Sequence, residues 1–220
     1  MTPLTIGPFV LEREMFFLLL SVLAGYAVLK FRINKTDSSS FKMDSMFTNS
    51  ILLSFLVWKF SLILFDPLGV IRQPAMILYF DGGITGIWLA VGAVLIYLFL
   101  KKRKNGIPWS ILLDGAAVSW FGMYGTYHLL LFTTNHFTWM FHLLAMIWSH
   151  VILGVWIRRE EVSLPRFIQY VLWYLIGHAF IQFFSHAPDV FWGLNGEQSL
   201  YLVLAAITVV VSLGIERGRR

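Results

Sequence analysis

The chain has 220 residues, of which 58% are hydrophobic and 13% charged, and its mean hydropathy is +0.72. That leaves too few polar side chains to cover a soluble globule, so the composition places the chain in lipid. Its net charge of +5 lies in short basic clusters between apolar runs, which argues for membrane topology and against a nucleic-acid partner, and the absence of cysteine excludes a disulfide framework, thiolate metal ligation and cysteine nucleophiles.

A membrane-spanning helix needs about 20 mostly apolar residues to cross a hydrocarbon core of about 30 Å. Seven stretches meet that length, near residues 13–31, 47–65, 83–100, 109–133, 138–157, 166–185 and 198–215. The expected fold is therefore an all-α integral membrane protein, one transmembrane domain over residues 1–220. Glu12, Arg13 and Glu14 precede the first apolar run, which lacks the basic start and small-residue cleavage site of a secretory signal and is expected to remain as a helix. Basic residues follow the first, third, fifth and seventh spans: 14 of the 17 lie in these alternate loops, as in Lys101-Lys102-Arg103-Lys104. Because lysine and arginine are retained on the cytoplasmic side, the N-terminus is expected outside and the C-terminus in the cytoplasm. The opposite loops are rich in aromatics, glycine, proline and histidine, as in Phe191-Trp192-Gly193, and any polar substrate is expected to be met on that outer face.

A charge at the centre of a span costs roughly 2.5 to 3.5 kcal/mol on the insertion scale, so each needs a partner, a cavity or a snorkelling route. Lys59 is embedded in the second span, where it can snorkel or pair with Asp66 or Asp81. In the third span, Asp81-Gly82-Gly83-Ile84-Thr85-Gly86 places three glycines at its outer start. These glycines, and Gly122 and Gly125 in the fourth span, either pack helices closely or let a lipid approach the backbone. Asp114, near the cytoplasmic start of the fourth span, can face water or the positive end of its helix. His128, His142, His150 and His178 fall within spans, and His178 shares a helix face with Gln182 at i, i+4 spacing. Such residues serve either as hydrogen-bonded contacts between helices or as general bases. No compact ligand spacing is present, so no metal site is expected.

Taken in order, these segments resemble the bacterial prolipoprotein diacylglyceryl transferases. Ile6-Gly7-Pro8-Phe9 looks like the start of that family, and Lys59 stands where the family tends to carry arginine in an A-R-x-G-Y stretch. Tyr79-Phe80-Asp81-Gly82-Gly83-Ile84 is similar to F-H-G-G-L with aspartate for histidine, and Gly122-Met123-Tyr124-Gly125-Thr126-Tyr127 to G-R-x-G-N-F with Met123 and Thr126 for arginine and asparagine. His136-Phe137-Thr138-Trp139-Met140-Phe141-His142 follows H-P-T-Q-L-Y-E, and Tyr174 to Phe183 follows Y-G-x-x-R-F-x-x-E-F, with His178 for arginine and Gln182 for glutamate.

The resemblance implies the transferase scaffold in a bacterial cytoplasmic membrane and a site at which phospholipid meets lipoprotein. On that carry-over, His178, His136 and Asp81 stand at catalytic positions, and Lys59, Gly82, Gly83, Gly122, Gly125, Thr126, His128, His142 and Gln182 line the lipid site. Diacylglyceryl transfer needs cations to hold a phosphate and a base to activate a thiol. Met123 and Gln182 supply neither. The expected function is therefore a catalytically degenerate relative that binds a phospholipid, a lipidated protein or another membrane subunit, without a cofactor. The alternative is an enzyme on another lipid, with chemistry rebuilt from Asp81, His128, His136, His142 and His178. A transporter or channel is disfavoured because neither an internal repeat nor a lined ion path is evident.

Overall fold

The computed structural model describes residues 4–6, 9–11, 13–35, 40–79, 82–135, 137–158, 164–185, 187–191 and 193–217. Its long elements are helices: α1 (Arg13–Lys35), α2 (Ser40–Phe65), the short α3 (Pro67–Arg72) and α4 (Met76–Tyr79), α5 (Gly83–Asn105), α6 (Trp109–Phe132), α7 (Trp139–Ile157), α8 (Leu164–Ile181) and α9 (Gly196–Arg217). Two short antiparallel strand pairs accompany them, β1 (Leu4–Ile6) with β2 (Phe9–Leu11) and β3 (Asp189–Phe191) with β4 (Leu194–Asn195). In the first pair Thr5 lies opposite Val10.

Six helices, α1, α2, α5, α7, α8 and α9, are long and apolar enough to cross a membrane. The chain is an all-helical, multi-pass membrane protein. The expected fourth span forms α6, whose 24 residues reach ~36 Å at 1.5 Å per residue, but it is not one of the six. Asp114, Gly115, Gly122, Gly125 and His128 dilute its apolar run, and its inward face holds Leu112, Val118, Phe121 and Leu131 among protein neighbours.

The chain divides into two compact units. The smaller comprises residues 4–11 and 33–108 and holds the hairpin of β1 and β2 together with α2, α3, α4 and α5. Asp66 stops the chain after α2 and caps α3 by accepting a hydrogen bond from the Gly69 backbone N–H at 2.9 Å, with Pro67 at the first helical position. Trp58 of α2 lies against Gly82 and Gly86, and Gly82 takes the left-handed conformation (φ 72°) at the start of α5. A side chain on Gly82 would run into the Trp58 indole. At its other end α5 continues through Lys101–Lys104, basic side chains that suit the negative helix terminus, and stops at Gly106 with φ 66°.

The larger unit includes residues 12–32 and 109–220, that is, most of α1 with α6, α7, α8 and α9. Its core is Val118, Phe121, Ile152, Leu153, Trp156, Tyr174, Leu175 and Ala205. Helices α1 and α6 cross where Gly25 meets Gly122: a Cβ on Gly25 would lie 2.6 Å from the Ser119 carbonyl oxygen, and one on Gly122 would lie 3.3 Å from the Gly25 Cα. Small residues therefore set that crossing. Hydroxyls inside the unit return to their own helices, Ser21 to Phe17 O, Ser149 to Ala145 O and Thr126 to Gly122 O, which satisfies them without water. The charge at Asp114 is answered in the same unit: the Arg32 guanidinium lies 3.3 Å from its carboxylate and the Trp156 indole donates to it at 2.5 Å. Arg32 also donates to the Ile157 carbonyl at 3.1 Å, so this buried pair ties α1, α6 and α7 together.

Candidate functional site

The polar residues that sequence reading singled out separate into two groups. Lys59, Gly82 and Gly83 belong to the smaller unit, and Gly122, Gly125, Thr126, His128, His142, His178 and Gln182 to the larger. Asp81 and His136 lie outside the described residues. Lys59 is partly buried in α2, and Asp66, one partner expected for it, serves as the cap of α3. Gly83 has φ 55° and open space where a Cβ would project.

In the larger unit three glycine positions are explained by their neighbours. Gly122 admits Val28 and Gly25 of α1, Gly125 admits the His150 ring, and Gly177 admits the Trp148 indole. The Thr126 hydroxyl is committed to the Gly122 carbonyl at 2.8 Å. His150 is exposed and bonds to the Met146 carbonyl of its own helix at 2.9 Å.

The remaining residues converge at the end of the unit where α6 and α8 finish and α7 and α9 begin. His128 of α6 and His142 of α7 face each other, Nδ1 to Nδ1 at 2.9 Å, and the second nitrogen of His142 meets the Thr138 hydroxyl at 3.1 Å. One imidazole of the pair must donate and the other accept, so the contact requires at least one neutral ring. Tyr124, one turn before His128, places its ring 4.3 Å from that imidazole, tilted to it, and 5.0 Å from His178, nearly perpendicular to it. His178 is enclosed by tyrosines: Tyr174 lies 4.5 Å away and Tyr201 of α9 lies 5.4 Å away, nearly parallel to it. Tyr174 is held in turn by the Trp120 indole, which donates to its hydroxyl at 3.2 Å.

His178 is wholly buried, at 0% exposure, yet neither ring nitrogen has a hydrogen-bond partner. Gln182, one turn later and 2% exposed, donates from Nε2 to the Glu197 carboxylate, which fixes its amide orientation and leaves Oε1 without a donor. A buried polar atom left unpaired costs about 1 to 3 kcal/mol, and here three such atoms sit on one face of α8 and its terminal turn. Glu197 is exposed. The polar line thus runs from the surface carboxylate inward to the amide and then to the imidazole.

Glu197 is positioned by a reciprocal cap that the sequence reading missed. Asn195 accepts from the Gln198 backbone N–H at 2.7 Å, and Gln198 accepts from the Asn195 backbone N–H at 2.8 Å. The signal was present as Asn195-Gly196-Glu197-Gln198, a side-chain acceptor followed three residues later by glutamine. The same two side chains reach back to α8, Asn195 to the Gln182 carbonyl at 3.3 Å and Gln198 to the Ala179 carbonyl at 3.4 Å. Tyr124, Tyr174 and Tyr201 were also missed, because aromatic residues on apolar helices carry no pattern that separates a polar cluster from ordinary packing.

Chemically, the cluster offers imidazoles, phenols, an amide and one carboxylate. Among the described residues no lysine or arginine is paired with His178, Gln182 or Glu197, and no group of three or more His, Asp or Glu side chains is placed to hold a metal ion. Comparison with protein-family models and with curated proteins finds no match to this chain.

Proposed function

We propose that this chain is a prolipoprotein diacylglyceryl transferase-like protein of the bacterial cytoplasmic membrane, N-terminus outside, that has lost transfer chemistry and binds a phospholipid through the His178 cluster. The observation that supports this reading is the His178–Gln182 pair. At positions where the resemblance implies an arginine and a glutamate, a buried imidazole and amide present three unpaired polar atoms beside tyrosine rings. Such a site can hold a polar headgroup by hydrogen bonds, but it lacks the bidentate cation that grips a phosphate and a carboxylate base next to the imidazole. A lipidated protein or membrane subunit would reach the same site through its own lipid.

Native mass spectrometry of detergent-purified protein tests the binding. Co-purifying phospholipid is expected on the wild type and lost from Gln182→Leu; a wild type free of lipid, or a variant that retains lipid equally, contradicts it. Orientation is checked separately, since the chain has no cysteine. Val190→Cys is expected to react with a membrane-impermeant thiol reagent in intact cells and Arg103→Cys only after permeabilisation.

A second reading, an enzyme with a rebuilt acid–base site, is favoured by one contact, the His128–His142 pair with Thr138 behind it. In that case His142→Ala would abolish a lipid-modifying activity while leaving lipid retention intact.

A further inference from the structure

The unpaired atoms of the cluster specify which headgroup chemistry it takes. Gln182 Oε1 can only accept, because its Nε2 is engaged by Glu197. A neutral His178 offers one further acceptor and one donor. Glu197 adds a carboxylate with its charge at the exposed end of the line, and among the described residues no basic side chain is paired with it. The π faces of tyrosines carry partial negative charge, and three tyrosine rings lie within 5.4 Å of the imidazole. Apart from the one imidazole N–H and the tyrosine hydroxyls, of which Tyr174 accepts from Trp120, the features of the line attract hydrogen-bond donors or positive charge. An anionic phosphate placed there would lose its hydration and face a carboxylate without gaining a cation.

From this donor and acceptor count, we infer that the His178–Gln182–Glu197 line binds a protonated primary amine. The ammonium donates to Gln182 Oε1, to the unprotonated nitrogen of His178 and to the Glu197 carboxylate, while tyrosine rings supply cation–π attraction. Two sources carry that group, the headgroup of an aminophospholipid such as phosphatidylethanolamine and a free small amine. Glu197 is exposed in the first turn of α9, at one end of that apolar helix, so the line is open to either at that end. The inference rests on the lipid-binding reading above and deepens it by naming the ligand class.

The test uses the full-length protein in detergent, with thermal melting and native mass spectrometry as readouts and with phosphatidylethanolamine, phosphatidylglycerol and free ethanolamine as probes. Phosphatidylethanolamine is expected to be retained and to raise Tm, phosphatidylglycerol to do neither, and Glu197→Gln to weaken retention about tenfold, the loss of one charge partner for the ammonium. In Glu197→Gln the new amide oxygen still accepts from Gln182 Nε2 while the charge is removed, and a folded Glu197→Gln protein keeps the test valid even where His178 variants do not fold. Ethanolamine that displaces the lipid and stabilises the protein by itself assigns the site to free amines; ethanolamine without effect assigns it to the lipid headgroup. Phosphatidylglycerol retained as well as phosphatidylethanolamine, with Glu197→Gln indifferent, overturns the amine inference and leaves the lipid-binding reading standing. No retention of any lipid together with no response to ethanolamine overturns both.

Discussion

At His178 the side chain works against the fold unless something answers it. Both ring nitrogens are buried and unpaired, a condition that costs about 1 to 3 kcal/mol relative to a satisfied or apolar group. His178→Leu in delipidated protein is therefore expected to be neutral or to raise Tm, as measured by melting in detergent, while abolishing the additional Tm increase that lipid gives the wild type. A large Tm loss in the delipidated variant would mean that the imidazole is held by contacts the site does not show. This residue was legible in the sequence through its i, i+4 relation to Gln182 and its depth within a span. Its unpaired state was not, because that depends on tyrosines from α6, α8 and α9 and on the way Glu197 turns the Gln182 amide.

At the level of helices, the unit holding the site is stabilised by close crossings and by the buried Arg32–Asp114 ion pair. Gly177 faces the Trp148 indole, with a Cβ placed there 2.2 Å from the indole ring. Gly177→Val is expected to lower Tm through overpacking, by about 1 to 3 kcal/mol, whereas the same change at Gly154, where nothing lies within 4 Å, is expected to be nearly silent. Asp114→Ala removes the carboxylate that balances the buried Arg32 charge and is expected to cost about 3 to 5 kcal/mol, with the apolar double change Arg32→Met with Asp114→Leu recovering most of it; denaturation of the single and double variants compares the two. The sequence located Asp114 but offered water and the helix dipole as its partners. Arg32 was hidden among the basic residues that set topology, since only the packing of α1 on α6 shows that it turns inward. The helices themselves were legible from apolar runs, and their ends shifted where local chemistry outlasts hydropathy, as in the lysines that extend α5 to Gly106. The short α3 was missed although Asp66-Pro67 is a recognisable start signal.

Across the whole molecule, composition was enough to predict a multi-pass helical membrane protein. The expected fourth span forms α6, which falls outside the six helices apolar enough to cross because aspartate, histidine and glycines dilute its apolar run. The clustered polar residues of the larger unit gather at one end, where α6 and α8 finish and α7 and α9 begin, and this clustering is what the proposed headgroup site requires. The proposed function requires that this cluster bind lipid without transferring it. Purified protein in nanodiscs of phosphatidylglycerol and phosphatidylethanolamine, incubated with a cysteine-containing prolipoprotein peptide, gives the direct answer by mass spectrometry of the peptide. The predicted result is an unmodified peptide beside a protein that retains phospholipid through His178 and Gln182. A peptide carrying a thioether-linked diacylglyceryl group, formed by the wild type and absent with His178→Ala, would contradict it.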